Sequence, residues 1–215
     1  MKLINQHWNF EELVDGPAIL KKIERAGRTC YKSEDKITED SAKTFCRAMI
    51  KSGHHSVIEH HNITVRIVTN RGVTHEIVRH RLASYSQEST RYCDYGGDDI
   101  VFITPVWAPY LDGPEPQEEK GDHKDYWSFI EALKQAEWFY KDLREKGWSP
   151  QQAREVLPNA LKTELVMTCN LREWRHFFTL RTSKAAHPQM RELARSMLNG
   201  FKKVIPVIFD DINFE

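Results

Sequence analysis

From Tyr126 to Leu143 the apolar side chains Tyr126, Phe129, Ile130, Leu133, Ala136, Phe139, Tyr140 and Leu143 recur at helical spacing. The stripe stops before Gly147, a residue type that readily closes a helix. This is the clearest helix in the chain. Just beyond it, Ser149-Pro150-Gln151-Gln152 supplies an N-cap, a proline at the first helical position and a glutamine three residues after the cap, so a new helix starts at Pro150. Helical periodicity also runs over Gly16–Ala26 and Thr38–Lys51, and Val73 with Ile77 suggests a short helix over Arg71–Arg81. Strand patterns occupy Asn62–Thr69, where β-branched residues alternate, and Thr163–Cys169. Asn170 with Glu173 is positioned to cap a helix carrying Leu171, Trp174, Phe177 and Phe178 on one face. Pro188 opens a last helix with the stripe Leu193, Met197, Leu198, Phe201. The sum is mixed α and β: long helices beside a modest sheet.

Between the two halves lies Asp112–Gly121, acidic, rich in proline and glycine and devoid of apolar residues, which predicts an exposed loop. There is no internal repeat. At 215 residues and 40% hydrophobic, the chain is long enough for one domain with a sizeable core, and it is expected as a single domain over residues 1–215. Charge narrows the function classes. Lys plus Arg and Asp plus Glu both total 31, so no global field favours nucleic acid or anionic lipid, and any anion site must be built locally. The longest uncharged run, Ile100–Leu111, holds two prolines and falls far short of a membrane span. No signal-peptide pattern opens the chain, and the four cysteines Cys30, Cys46, Cys93 and Cys169 form no close pair; both point to a cytoplasmic protein with reduced thiols.

The chemistry begins with absences. No G-x-G-x-x-G, P-loop, G-x-S-x-G or C-x-x-C pattern occurs, so a Rossmann nucleotide turn is not expected. The most unusual stretch is Arg79-His80-Arg81 followed by a serine-rich run to Arg91. If the run is extended, Gln87, Ser89 and Arg91 share one side, and if the preceding helix reaches Arg79, Glu76 shares a face with Arg79 and His80. Amide, hydroxyl and guanidinium groups in that arrangement suit a planar anion such as a nucleotide. A solvated polar turn explains the same spacing, and spacing alone does not decide. A histidine cluster, His54, His55, His60 and His61, invites a metal. His75 and His80 are separated by five residues, about 140° on a helix, which misses the zinc-protease spacing by one. Histidines at helix ends or against an organic ligand explain the cluster more simply. Arg154, Arg172, Arg175 and Arg181 punctuate apolar segments; Arg172 and His176 are i,i+4 neighbours opposite Phe177 and Phe178, and Arg175 reads as a solvated surface arginine. A small metallohydrolase and a nucleotide- or RNA-binding module remain the rival classes.

Arg79-His80-Arg81 followed after seven residues by Ser89 resembles the signature of the flavin-dependent thymidylate synthases. Gly53–His60 resembles that family's G-H-x-[ST]-x-x-E-H segment, Arg154–Pro158 its A-R-x-x-L-P segment, Asn170–Arg172 its N-x-R step and Leu180–Arg181 its late L-R pair. The pieces fall in family order and the likeness covers about Arg25 to Leu193. The resemblance implies an α/β fold that is not Rossmann, conversion of dUMP to dTMP, methylenetetrahydrofolate as carbon donor, NADPH as reductant, FAD as hydride carrier, and a homotetramer with shared active sites. By position it implies that Arg79, Gln87, Ser89, Thr90 and Arg91 contact dUMP with Glu76 nearby, that Arg154 reaches the nucleotide from another subunit, and that Arg181 sits at the uracil edge as the catalytic residue. For FAD it implies Ser56, Arg79, His80, Arg81, Gln87, Asn170, Arg172 and His176, with His54, Glu59 and His187 close by, and no metal. Glu76 stands where the family often has Gln, and His176 where relatives have Asn.

Overall fold

The computed structural model describes residues 1–108 and 124–214, so the segment Asp112–Gly121 lies outside the described residues. Their contacts divide the chain into two compact units: unit 1 comprises residues 1–7, 67–78 and 86–165, and unit 2 comprises 8–66, 79–85 and 166–215. Among the described residues no helix is long and apolar enough to cross a membrane.

Unit 1 is built around the long helix. Strands β1 (Lys2–Ile4) and β5 (Val101–Ile103) pair in parallel, with Leu3 opposite Phe102. Helix α4 (Lys124–Glu145) packs Ile130, Leu133 and Tyr140 into a core with Leu3, Ile100, Phe102, Ala153 and Leu161. The predicted stripe is wider than the buried face. Phe139 is 47% exposed, whereas Glu137, one turn beyond Leu133, is 7% exposed. That carboxylate is tolerated because it accepts from the Ile100 N–H at 3.2 Å and pairs with Lys141 and the terminal ammonium at 2.7 and 2.9 Å. Gly147 has φ 90°, a left-handed conformation suited to glycine and placed where the sequence predicted the helix to stop. Ser149 donates from N and Oγ to the Gln152 side chain as the cap pattern required, but α5 (Pro150–Ala153) is only one turn long and tightens into a 3-10 turn over Arg154–Val156. Leu157 stays extended, as the residue before Pro158 prefers.

Unit 2 has an aromatic core. Helix α6 (Leu171–Arg181) buries Leu171, Trp174, Phe177 and Phe178, the face predicted from its periodicity, and α7 (Pro188–Val204) adds Met190, Leu193, Met197 and Phe201. Trp174 stacks on Phe178 at 5.7 Å, and its indole N–H donates to the Ile63 carbonyl at 3.1 Å, so the largest buried side chain leaves no polar group unsatisfied. Gly200 sits under Trp8 in β2 (His7–Phe10): a methyl group there would lie 2.3 Å from the indole. Helix α1 (Gly16–Arg28) starts at Asp15, whose carboxylate accepts from the Ala18 N–H at 3.0 Å. Helix α2 (Ser41–Lys51) starts three residues later than its periodicity predicts, because Ser41 Oγ accepts from the Thr38 N–H and so holds the preceding residues in a turn. A short helix, α8 (Pro206–Phe209), follows α7.

A four-stranded sheet has the order β2, β3 (Asn62–Asn70), β6 (Lys162–Asn170), β4 (Ala83–Gln87). β3 and β6 are nine residues each, and their ends are tied reciprocally: Arg71 N–H donates to the Leu161 carbonyl and Leu171 N–H to the His61 carbonyl, both at 3.1 Å, the pattern of antiparallel neighbours. Each strand ends in an asparagine that caps the helix after it. Asn70 Oδ1 accepts from Val73 N–H at 2.8 Å to start α3 (Arg71–Ile77), and Asn170 Oδ1 accepts from Glu173 N–H at 2.9 Å to start α6.

Two elements stop short of the pattern predicted for them. Helix α3 ends at Ile77, so Arg79 and His80 do not continue it and the shared helical face with Glu76 does not exist. Strand β4 ends at Gln87, and Ser89 accepts backbone hydrogen bonds from Tyr92 and Cys93 in a turn, so the two-residue period does not carry Ser89 and Arg91 onto the side of Gln87.

Candidate active site

In unit 2, the Asn170 cap fixes the start of α6 and therefore the direction of every side chain on it. Arg172 and His176 emerge on the exposed side, one turn apart, opposite the buried aromatics. Arg172 Nη1 meets Glu59 Oε1 at 2.6 Å, which ties α6 to the 3-10 stretch His55–His60. These groups line a cavity of about 600 Å³ bounded by Glu59, Leu82, Asn170, Arg172, Glu173 and His176. Four of the six are residues the family likeness assigned to flavin; Leu82 and Glu173 are additions.

His80 lies beside this wall and is 4% exposed. Its ring meets Phe177 at 5.0 Å and His176 at 5.6 Å, both edge-on, and its carbonyl accepts from the Tyr85 hydroxyl at 2.7 Å. Nδ1 lies 3.2 Å from Glu173 Oε1, and Arg181 Nε donates to Nε2 at 3.0 Å. Burial, and then the Arg181 charge, push the His80 pKa down, with Glu173 opposing them, so the ring is neutral near pH 7. Ligand-type atoms of His80, Glu173 and His176 fall within 4.8 Å of one another, but both His80 nitrogens are already engaged, by Arg181 and by Glu173. That leaves the ring no lone pair to offer a metal while these contacts hold.

The remaining flavin candidates do not line this cavity. His54, Ser56, Arg79 and Arg81 are exposed, and His187 accepts from the Gln189 N–H at 3.2 Å as the cap of α7. Arg175 is not the solvated residue expected: its side chain is 11% exposed, because it donates to Ile208 O and pairs with Asp211 at 2.6 Å.

In unit 1 the nucleotide candidates gather at a turn. Gln87 Nε2 lies within 3.0 Å of Thr74 Oγ1 and 3.2 Å of Thr163 Oγ1, which holds the amide in place. Ser89 Oγ accepts from Arg91 N–H at 3.3 Å; Arg91 reaches Gln151 at 3.0 Å and lies over the Tyr92 ring. Arg154 donates to the buried Thr90 hydroxyl at 3.4 Å, so the turn and α5 meet through two arginines on neutral partners. Glu76 is half-buried in the same unit, whereas Arg79 and Arg181 belong to unit 2.

A mixed α/β chain with this cavity and these arginines belongs to the thymidylate synthase complementing protein family, whose pattern matches residues 12–207. A flavin-dependent thymidylate synthase from Mycobacteroides abscessus is 36% identical over 208 residues, spanning 92% of this chain and 80% of that protein. One from Geobacter sulfurreducens is 36% identical over 193 residues, spanning 86% of this chain and 78% of that one. The crystal structure of the UMP/dUMP methylase PolB from Streptomyces cacaoi, bound with 5-Br dUMP, superposes with a TM-score of 0.79 at 24% identity over 98% of this chain and 96% of that one, which establishes a shared fold.

Proposed function

We propose that this chain is a flavin-dependent thymidylate synthase, a methyltransferase. In net terms dUMP, methylenetetrahydrofolate, NADPH and a proton give dTMP, tetrahydrofolate and NADP⁺. Family membership and the relatives' names support this reading. The observation that carries it to particular residues is the cavity whose wall combines Asn170, Arg172 and His176 with apolar Leu82. Hydrogen-bonding groups beside an apolar surface fit a planar heterocycle with polar edges. When bound there, FAD supplies the hydride-carrying chemistry.

The chain's own residues bind and orient. Arg172, Asn170 and His176 hold the flavin, with Glu59 fixing Arg172. Ser56, His54, Arg79, Arg81, His80, Gln87 and His187 complete the flavin set by family position. Arg79, Ser89, Thr90, Arg91 and Arg154 hold the dUMP phosphate and sugar, with Gln87 and Glu76 at the base. Arg181 stabilises negative charge as the uracil ring gains it. The enzyme works as a cytoplasmic homotetramer in which Arg154 serves the nucleotide of a neighbouring copy, and residues 1–215 form one catalytic domain. Neither a nucleic acid nor a membrane is a partner.

The test is direct. Purified protein reconstituted with FAD is expected to be yellow, to oxidise NADPH faster when dUMP is added, and to convert labelled dUMP to dTMP in the presence of the folate. Protein that takes up no FAD would overturn the reading. Arg181→Ala is expected to lower dTMP formation by roughly 10²- to 10³-fold while FAD stays bound; unchanged turnover would remove Arg181 from the catalytic list.

A further inference from the structure

We infer that Glu173 is a positioning residue for this reaction: its carboxylate holds His80 in a single tautomer, and His80 in turn holds the guanidinium of Arg181. This rests on the role given to Arg181 above and adds a residue that no motif assigns.

The protons on these side chains allow one arrangement. An arginine Nε–H can only donate, so at 3.0 Å from His80 Nε2 it requires a lone pair on that nitrogen. The neutral ring then keeps its proton on Nδ1, and at 3.2 Å Glu173 Oε1 faces that proton as its acceptor. The three side chains form a chain with one direction, Arg181 to His80 to Glu173. Reversing the tautomer would break both links. The ring cannot readily turn over, because Phe177 and His176 pack against it edge-on and the Tyr85 hydroxyl holds its backbone. Glu173 is itself buried, at 6% exposed, and its N–H is held by the Asn170 side chain. A glutamate at the third position of a helix ordinarily reaches back to the N-cap backbone. Here Oε1 instead meets a ring 93 residues away in sequence.

The experiment combines a spectrum with kinetics. In the FAD-loaded full chain labelled with ¹⁵N-histidine, His80 is expected as the Nδ1–H tautomer, its signals assigned through a His80→Asn variant. An Nε2–H ring, or one averaging between tautomers, would overturn the proposal whether or not dTMP is formed, so this arm fails separately from the enzymatic reading. Glu173→Leu keeps the volume and deletes the acceptor; it should expose an Nε2–H population and lower kcat by roughly 10- to 100-fold, the worth of one hydrogen bond to a charged group, while KM for dUMP shifts by less than about threefold. Glu173→Gln, which still accepts from Nδ1–H, should restore most of kcat. On an Arg181→Lys background, Glu173→Leu should cost less than about twofold more, because both changes act through one guanidinium. Multiplicative losses, or failure of glutamine to rescue, would make Glu173 a structural residue and overturn the proposal. If Glu173→Leu does not fold, Glu173→Ser takes its place in the same three measurements.

Discussion

The two units treat their arginines differently. In unit 2, Arg181 donates to a buried histidine that is itself tied to a buried carboxylate, and Arg175 is locked between Asp211 and a backbone carbonyl. In unit 1, Arg91 and Arg154 are exposed and rest on neutral side chains, Gln151 and Thr90, with Glu155 3.5 Å from Arg154 as an acidic neighbour. The first arrangement fixes a charge in advance, which suits a group that must meet charge developing in a transition state. The second leaves guanidinium groups able to reorient and to exchange a weak neutral partner for a strong anionic one, which suits capture of a phosphate. Rigidity and availability are thus divided between different parts of the same chain.

Perturbations should respect that division. The largest effect is expected from Trp174→Ala, which empties the centre of the unit 2 aromatic core and should cost about 3–5 kcal/mol in chemical denaturation. A loss below about 1 kcal/mol would mean the core repacks freely and the preset geometry of α6 is not rigid. Arg154→Ala should weaken dUMP binding by roughly 10- to 100-fold, measured by calorimetry, with FAD affinity unchanged. Loss of FAD instead would erase the contrast between the units. The paired caps give a sharper comparison: Asn70→Ala and Asn170→Ala should each cost about 1 kcal/mol of stability, but only the second should also weaken FAD.

The smallest and most gradual effect is on pH. His80, His55 and His61 all have pKa values held below 6.5 in the folded chain, by burial first and then by Arg181, Arg175 and Lys22 respectively. The unfolded chain therefore takes up protons that the native state refuses, and stability should fall as pH drops below about 6.5. Asp94, held near about 2 by Arg144, and Asp211, lowered by Arg175, act in the same direction at lower pH: their contribution is present above the ordinary aspartate range and is lost as they protonate. The histidine phase belongs to unit 2 and the Asp94 phase to unit 1. A urea midpoint that stays level between pH 7.5 and about 5.5 would show that the histidines are not held neutral.

Local pattern carried the long elements. The stripe of α4, the cap of α5, strands β3 and β6 and the aromatic face of α6 all follow from periodicity and capping chemistry within a few residues. What pattern missed depends on partners far away in sequence. Strands β1 and β5 are three residues each, too short to show alternation, and exist because they pair with one another. Val73 and Ile77 fit a helix running to Arg81, yet α3 stops at Ile77 and His80 turns toward Glu173 and Arg181 instead. Glu173 was legible only as a capping partner, since nothing near it in sequence points to His80, 93 residues away. The signal that could have found it is an acidic residue on the buried side of an amphipathic helix, which demands a polar partner. Of the site, the motif-bearing residues Asn170, Arg172, His176 and Glu59 do line one cavity, whereas Leu82 carried no chemical cue.

One feature of the sheet sets a limit on how this chain can vary. Because Asn170 is at once the last residue of a strand and the cap of the next helix, no slack separates the ladder from α6. Slipping β6 by a single position would turn its alternate residues inside out and swing Arg172 and His176 about 100° around the helix axis. The hydrogen-bonded rungs from His61–Leu171 to Arg71–Leu161 thus act as a gauge for the cavity wall, and insertions or deletions should be excluded from this junction even where the surface beside it tolerates almost any side chain.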